Sequence, residues 1–342
     1  MKAKGVLAAC REAMSVSATR CPESNAGCQS GLGAHRASYE RGGGAAPGAL
    51  ASPLLCFCER MNLTDRIYLV VHLLLTLLLC LRHEHVPHWP AYVAWNVYAI
   101  VGIVVFARKR GDGENWEFAH DWLPAILFIT VFEEISHLSL AIRSGWQNAY
   151  IIAFESWLFG VSPMEWMHSH AREWLIEFLE FGYFTFYPLY TVVGGLFWAW
   201  RRRAAFRGAF RGLTDALSLG FVICYTTYVL FPTQSPANLA GVQQIGSAEA
   251  GVFQRLVRLI QSHAGVHGNA LPSAHIMVAF VVLMFVYRYL PGVAPWVLFP
   301  ILLMCAGAVY DGYHYASDVV AGAAIGVIIG GISVSRMGQQ ER

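Results

Sequence analysis

Two short stretches of this 342-residue chain place reactive residue types at a fixed spacing. One is Gly268-Asn269-Ala270-Leu271-Pro272-Ser273-Ala274-His275, and the other is Tyr313-His314-Tyr315-Ala316-Ser317-Asp318-Val319-Val320-Ala321-Gly322. His314 and Asp318 stand at i and i+4, on one face if the segment is helical. A carboxylate there accepts from one imidazole nitrogen, fixes the tautomer and leaves the other nitrogen free to attack. Pro272-Ser273 ahead of His275 suits a helix start, with Ser273 as cap and free backbone N–H groups turned towards an anion. Two histidines and one carboxylate suffice for phosphoryl transfer through a phosphohistidine. One histidine attacks phosphorus; the other protonates the leaving alkoxide and later deprotonates the acceptor. The plainer alternative makes these histidines polar anchors at a membrane interface, with the His–Asp spacing a coincidence.

The elements that must position these residues follow from composition. Hydrophobic residues make up 56% of the chain, charged residues 13%, and the mean hydropathy is +0.45. Soluble domains carry about 25% charged residues, so a water-soluble monomer is excluded and burial in a bilayer is implied. With 24 Lys and Arg against 22 Asp and Glu, a basic nucleic-acid-binding surface is excluded as well. The eight cysteines form no CxxC pair, which speaks against a disulfide framework or a thiolate zinc site.

Residues 1–60 are rich in Ala, Gly and Ser and include Gly42-Gly43-Gly44. They are expected to be disordered, or an extension from a mis-assigned start, since Met61 opens a more ordinary membrane-protein beginning. Apolar blocks then follow at 67–81, 89–107, 122–142, 173–200, 213–231, 273–290, 292–312 and 318–335. Each is expected to be helical, because lipid offers no partner to exposed backbone groups. The fold expected is an all-α polytopic integral membrane bundle of about eight transmembrane helices, or six or seven should 67–81 lie flat or be missing. With the N-terminus in the cytoplasm, nineteen of the 24 Lys and Arg fall on the cytoplasmic side. Only Arg82, Arg143, Arg172, Arg255 and Arg258 fall on the other. Both termini are then cytoplasmic, and both histidine motifs open helices at the extracytoplasmic face. Residues 143–172, with Trp146, Trp157 and Trp166, suggest a re-entrant or interfacial helix. Within 231–272, GVFQRLVRLIQSH has the spacing of an amphipathic helix on the outer interface.

The pieces LPSAH and YDGYHYASDVVAG resemble the second and third signature motifs of the type 2 phosphatidic acid phosphatase superfamily. The resemblance is closest to the branch containing inositol phosphorylceramide synthases and related lipid phosphotransferases. Looser similarity to that branch runs through HDWLP (120–124), ESWLFGVSP (155–163) and FPTQSP (231–236). The resemblance implies His314 as nucleophile, Asp318 as its orienting partner, His275 as general acid, and a six-helix catalytic core. The organisation expected is an extension over 1–60, two additional N-terminal transmembrane helices over 61–110, and a catalytic membrane domain over 111–336.

Two departures from the phosphatase pattern bear on the chemistry. The family arginine six residues before the nucleophile is replaced by Ala308, and no first motif with a Lys and an Arg-Pro pair is found. Those groups would clamp phosphate oxygens and stabilise their charge, so another cation must serve. Arg258 is preferred, with Arg255, His263 and His267 on the same side and Arg172 more remote. Headgroup anchoring from an interfacial helix is the competing use for Arg255 and Arg258. Ser273, Tyr310 and Glu155, the last as a contact to a polar headgroup, complete the expected substrate-binding set.

Other polar residues have plainer readings beside their functional ones. Glu133, Glu134 and His137 fit headgroup binding, a cavity wall or an interhelical bond. The sets His168, His170, Glu173 and His83, His85, His88 lack a zinc-hydrolase spacing and read as interfacial; no metal and no cofactor are expected. The aromatic stripe Tyr183, Phe184, Phe186, Tyr187, Tyr190 reads as packing or lipid contact. Fewer fixed cations suit a singly charged phosphodiester better than a phosphomonoester with nearly two charges. The leading expectation is therefore a lipid phosphotransferase at the extracytoplasmic face of a bacterial inner membrane. It would move a phosphoryl or headgroup-phosphoryl group from a membrane phospholipid donor to a lipid alcohol, inositol or water. A lipid or polyprenyl phosphate phosphatase is the alternative within the class, and a membrane transporter the alternative outside it. The polar residues gather at one face instead of the midplane, which disfavours the transporter. The oligomeric state is left open.

Overall fold

The computed structural model describes residues 61–170, 172–239, 251–264 and 268–340, so the expectation for residues 1–60 lies outside the described residues. The first helix, α1 (Leu63–Arg82), starts where Asn62 and Asp65 cap each other reciprocally, the side chain of each accepting from the backbone N–H of the other. It is followed by α2 (Trp89–Lys109), which has Pro90 in its first turn, and by α3 (Glu114–Ile142). A later long helix, α8 (Ala209–Leu230), and the last, α12 (Ala316–Gln340), bracket two shorter apolar ones, α10 (Ala274–Tyr289) and α11 (Ala294–Tyr310). Among the described residues, five helical stretches are long and apolar enough to cross a bilayer: 63–85, 89–109, 114–142, 204–230 and 316–339. Their outward faces carry exposed Leu73, Leu74 and Leu77 on α1 and Ile126 and Ile129 on α3, as contact with hydrocarbon requires. The chain is an all-α polytopic membrane bundle.

The block at 173–200 differs from the single span expected of it. It forms α6 (Glu173–Phe184) and α7 (Phe186–Ala199), broken at Thr185. Pro188 has no N–H to offer the carbonyl of Phe184, and its ring crowds that carbonyl. The hydroxyl of Thr185 instead donates to the Gly182 carbonyl at 2.6 Å. The tryptophan-rich segment before it holds two helices, α4 (Asn148–Phe159) and α5 (Pro163–Ser169), with Gly160 closing α4 at φ 75°. The expected amphipathic helix is present as α9 (Val252–Ala264), with Gln254 and Val257 buried and Arg255 and Leu259 exposed.

One end of the bundle gathers the basic clusters. Arg201 reaches Glu114 at 3.0 Å and Glu117 at 3.5 Å while stacking 3.6 Å from the Trp198 ring, and Lys109 pairs with Asp112. Deeper in the bundle, Asn96 joins three helices. Its amide nitrogen donates to Glu134 Oε1 at 2.8 Å, and its amide oxygen lies 2.5 Å from His72 Nδ1. Glu134 thus makes the interhelical bond, whereas Glu133 and His137 face outward.

At the opposite end, α10 and α12 start side by side. A Cβ at Gly322 would stand 2.4 Å from the Ser273 carbonyl oxygen, and one at Gly326 would stand 2.6 Å from that of Met277. Only glycine allows backbones so close, and this contact sets where the two histidine-bearing motifs meet.

Candidate active site

Buried loop backbone needs hydrogen-bond partners, and here the loops supply them to one another. Ala270 N–H donates to the Thr233 carbonyl at 3.2 Å, and Leu271 N–H to the Thr233 hydroxyl at 3.0 Å. Ser273 N–H donates to the Asp318 carbonyl at 3.1 Å, and Ala237 N–H to the Gly312 carbonyl at 2.9 Å. The Asn148 amide bridges the Gln234 carbonyl and the Tyr315 hydroxyl at 2.8 and 2.7 Å. Three separate loops, 231–239, 268–273 and 311–315, are thereby locked into one layer.

His314 projects from this layer. Its N–H returns to the Ala308 carbonyl at 2.8 Å, a reversal that Gly312 permits at φ 73°. Nδ1 lies 3.1 Å from the Ala270 carbonyl oxygen and 3.5 Å from Asp318 Oδ2. Both neighbours are acceptors, so Nδ1 carries the proton and Nε2 the lone pair. Asp318 is fully buried, and its Oδ2 also accepts from Tyr315 N–H at 2.9 Å. His275 sits in the first turn of α10, which Ser273 caps by accepting from Ile276 N–H. Its ring is 6.2 Å from that of His314, edge-on to Phe186 at 4.7 Å and 5.9 Å from Tyr183. Packing between aromatic rings orients this imidazole.

Both histidines line a cavity of about 470 Å³. Its walls are largely neutral and hydrogen-bonding, with Asn238, Gln254, Gln261, Asn269, Tyr183, Tyr187 and Tyr313 among them. Arg258 is the one Lys or Arg among the described residues that lines it, and it acts electrostatically on both Glu180 and Asp311. Glu180 accepts from the Tyr313 hydroxyl at 2.6 Å. Asp311 also lines the cavity, and neither of its carboxyl oxygens has a hydrogen-bond partner. Burial pushes this carboxyl up to about 9, reinforced by Glu180 and opposed by Arg258.

The fold brings His314, His275, Asp318 and Arg258 together, and four other expected contacts serve elsewhere. The Ser273 hydroxyl is engaged as the α10 cap. Glu155 accepts from the N–H and hydroxyl of Ser317 at 2.7 and 2.8 Å, fixing the start of α12 from outside the cavity. Arg255 is exposed and donates to the Gly251 carbonyl; Gln254, Arg258 and Gln261 hold the cavity-facing helical register, and Arg255 falls off it. Tyr310 accepts from Arg172 N–H at 2.9 Å and packs with Ile176 and Leu179, away from the cavity. His267 and the side chain of His263 lie outside the described residues.

Several participants have no motif. Tyr183, Phe186 and Tyr187, read from sequence as packing, surround His275 or line the cavity because the break at Thr185 turns them inward. Asp311 reads as an ordinary Asp-Gly turn, and the Ala270 contribution is a backbone carbonyl. The spacing of Gln254, Arg258 and Gln261 was the available signal for the α9 wall.

No curated protein matches the chain. A solved structure, the crystal structure of Aquifex aeolicus LpxE, is 19% identical over 50% of this chain and 92% of its own, with a TM-score of 0.38, too loose a likeness to argue from. The PAP2 superfamily profile matches residues 149–332, from α4 into α12, more than half the chain. Because that stretch contains both histidine motifs, the Asp318 partner and the loops that lock them together, the chain belongs to the PAP2 superfamily, the type 2 phosphatidic acid phosphatases.

Proposed function

We propose that the protein is a lipid phosphoester phosphatase that works through a phosphohistidine on His314. The observation that carries this reading is the pair of imidazoles, 6.2 Å apart, lining one cavity, with two acceptors at Nδ1 of His314. His314 Nε2 attacks phosphorus, the N–P bond forms and the ester P–O bond breaks. Protonated His275 gives its proton to the departing alkoxide. The phosphorylated imidazole keeps its Nδ1 proton and becomes cationic, and the Asp318 carboxylate offsets that charge. Neutral His275 then takes a proton from water as it attacks phosphorus, releasing His314. The basic clusters gather at the other end of the bundle, which supports an extracytoplasmic site with both termini cytoplasmic, as in a bacterial inner membrane.

A second reading has its own support. Among the described residues one arginine lines the cavity, beside a wall of neutral amides, which suits a singly charged diester and an alcohol acceptor. The same three residues would then pass the group to a lipid alcohol or inositol, as in inositol phosphorylceramide synthases. Purified protein incubated with phosphatidate, polyprenyl pyrophosphate and phosphodiester lipids, with and without diacylglycerol, ceramide or inositol, separates the two by product mass. Free phosphate without an acceptor establishes the phosphatase; a new phosphodiester that requires the acceptor establishes the transferase. Undiminished turnover in His314→Ala sinks both.

A further inference from the structure

The cavity contains one acidic group that the mechanism above does not use. Asp311 lies on the turn that presents His314, fixed by its N–H to the Gly307 carbonyl at 2.8 Å and by Gly312 N–H to the Val309 carbonyl at 3.2 Å. Its side chain lines the cavity while the residue is only 8% exposed, and both carboxyl oxygens lack a partner. A buried carboxyl group without partners is costly unless something arrives to satisfy it. The groups that act on it are Glu180 and Tyr183 from α6, Arg258 from α9, and Tyr313 beside it. His314 on the same turn and His275 from α10 face the same cavity.

An ionised Asp311 would place a second carboxylate beside Glu180 and would repel a phosphate. A protonated one adds no negative charge and has an O–H to give. We propose that the Asp311 carboxyl group binds the substrate phosphoryl group directly, donating an O–H hydrogen bond to one of its oxygens. It supplies a neutral contact in a chain that has Ala308 six residues before His314. Such a contact holds a phosphate without adding positive charge, so the site favours phosphoryl groups of low charge. The inference rests on the phosphoryl-transfer reading above.

The test is equilibrium binding of inorganic phosphate to the purified full-length protein at about pH 8 and about pH 10, on either side of the Asp311 ionisation near 9. Only the protonated group donates, so wild-type affinity falls by about tenfold over that interval. Asp311→Asn keeps a donor that does not ionise and holds its affinity within about twofold, which also subtracts any change from neighbouring groups. Asp311→Leu binds about tenfold more weakly already at the lower pH, the cost of one charge-assisted hydrogen bond. A flat wild-type profile, or a parallel loss in Asp311→Asn, overturns the proposal, as does wild-type affinity in a folded Asp311→Leu. Lipid turnover by the wild type is measured alongside. Turnover with a flat binding profile removes the Asp311 role alone, whereas absent turnover with absent binding removes the catalytic reading too.

Discussion

The carbonyl oxygen of Ala270 lies 3.1 Å from Nδ1 of His314, nearer than the Asp318 carboxylate at 3.5 Å. The carbonyl therefore takes the Nδ1 proton, and the tautomer that exposes Nε2 does not depend on the carboxylate alone. Asp318 has two further tasks, accepting from Tyr315 N–H and placing a negative charge beside the imidazole when it becomes cationic. Asp318→Asn is accordingly expected to lower kcat by roughly 10²-fold without abolishing it, with KM little changed. Steady-state kinetics on the lipid that proves to be turned over checks this; complete inactivity of a folded variant would assign tautomer control to Asp318.

Glu155 acts on the site through α12. Its carboxylate is buried and holds both the N–H and the hydroxyl of Ser317, one residue before Asp318. Glu155→Ala is expected to cost about 2 kcal/mol of stability, as expected for hydrogen bonds to a buried charge. Thermal unfolding in detergent reads the loss, and Glu155→Gln, which keeps an acceptor, loses less.

The close approach of α10 and α12 gives a sharper contrast. Gly322→Ala would bring a methyl group within 2.4 Å of the Ser273 carbonyl oxygen, a backbone atom that cannot swing aside. The helices must separate, at about 1–3 kcal/mol, and the His275–His314 spacing changes with them. At Gly331 the nearest atom is the Met284 methyl at 3.8 Å, so Gly331→Ala is expected to be silent. Activity per folded molecule falls in the first variant and not in the second.

Asn96 holds α1, α2 and α3 together inside the membrane. Asn96→Ala leaves Glu134 Oε1 and His72 Nδ1 without their partner. A loss of about 2 kcal/mol is expected, with activity per folded molecule unchanged, because none of the three residues lines the cavity. Unfolding midpoint and specific activity, measured on the same preparation, separate the two effects.

Residues whose role depends on type and local spacing were legible in the sequence. His275, His314 and Asp318 stand in short motifs, Ser273 precedes a helix as a cap does, and the long apolar blocks announce a membrane bundle. What escaped depends on long-range geometry. The Ala270 carbonyl meets the imidazole nitrogen of His314 from 44 residues away along the chain, and a carbonyl has no residue type to recognise. The block at 173–200 is uniformly apolar, so the break that Pro188 imposes at Thr185, and the inward turn of Tyr183 and Tyr187, could not be told from packing. Glu155 and Tyr310 were expected at the substrate from their sequence neighbourhood, but helical register turns the first onto Ser317 and the second onto Arg172.

The most direct test of the account is covalent trapping on His314. Wild type, His275→Ala and His314→Ala would be incubated with a radiolabelled phosphate ester whose leaving group needs no proton, quenched, digested and mapped. Acid-labile, base-stable label is expected on the peptide containing His314, accumulating in His275→Ala because dephosphorylation by water lacks its base, and absent from His314→Ala. Label on any other residue, or turnover by His314→Ala at the wild-type rate, would contradict it.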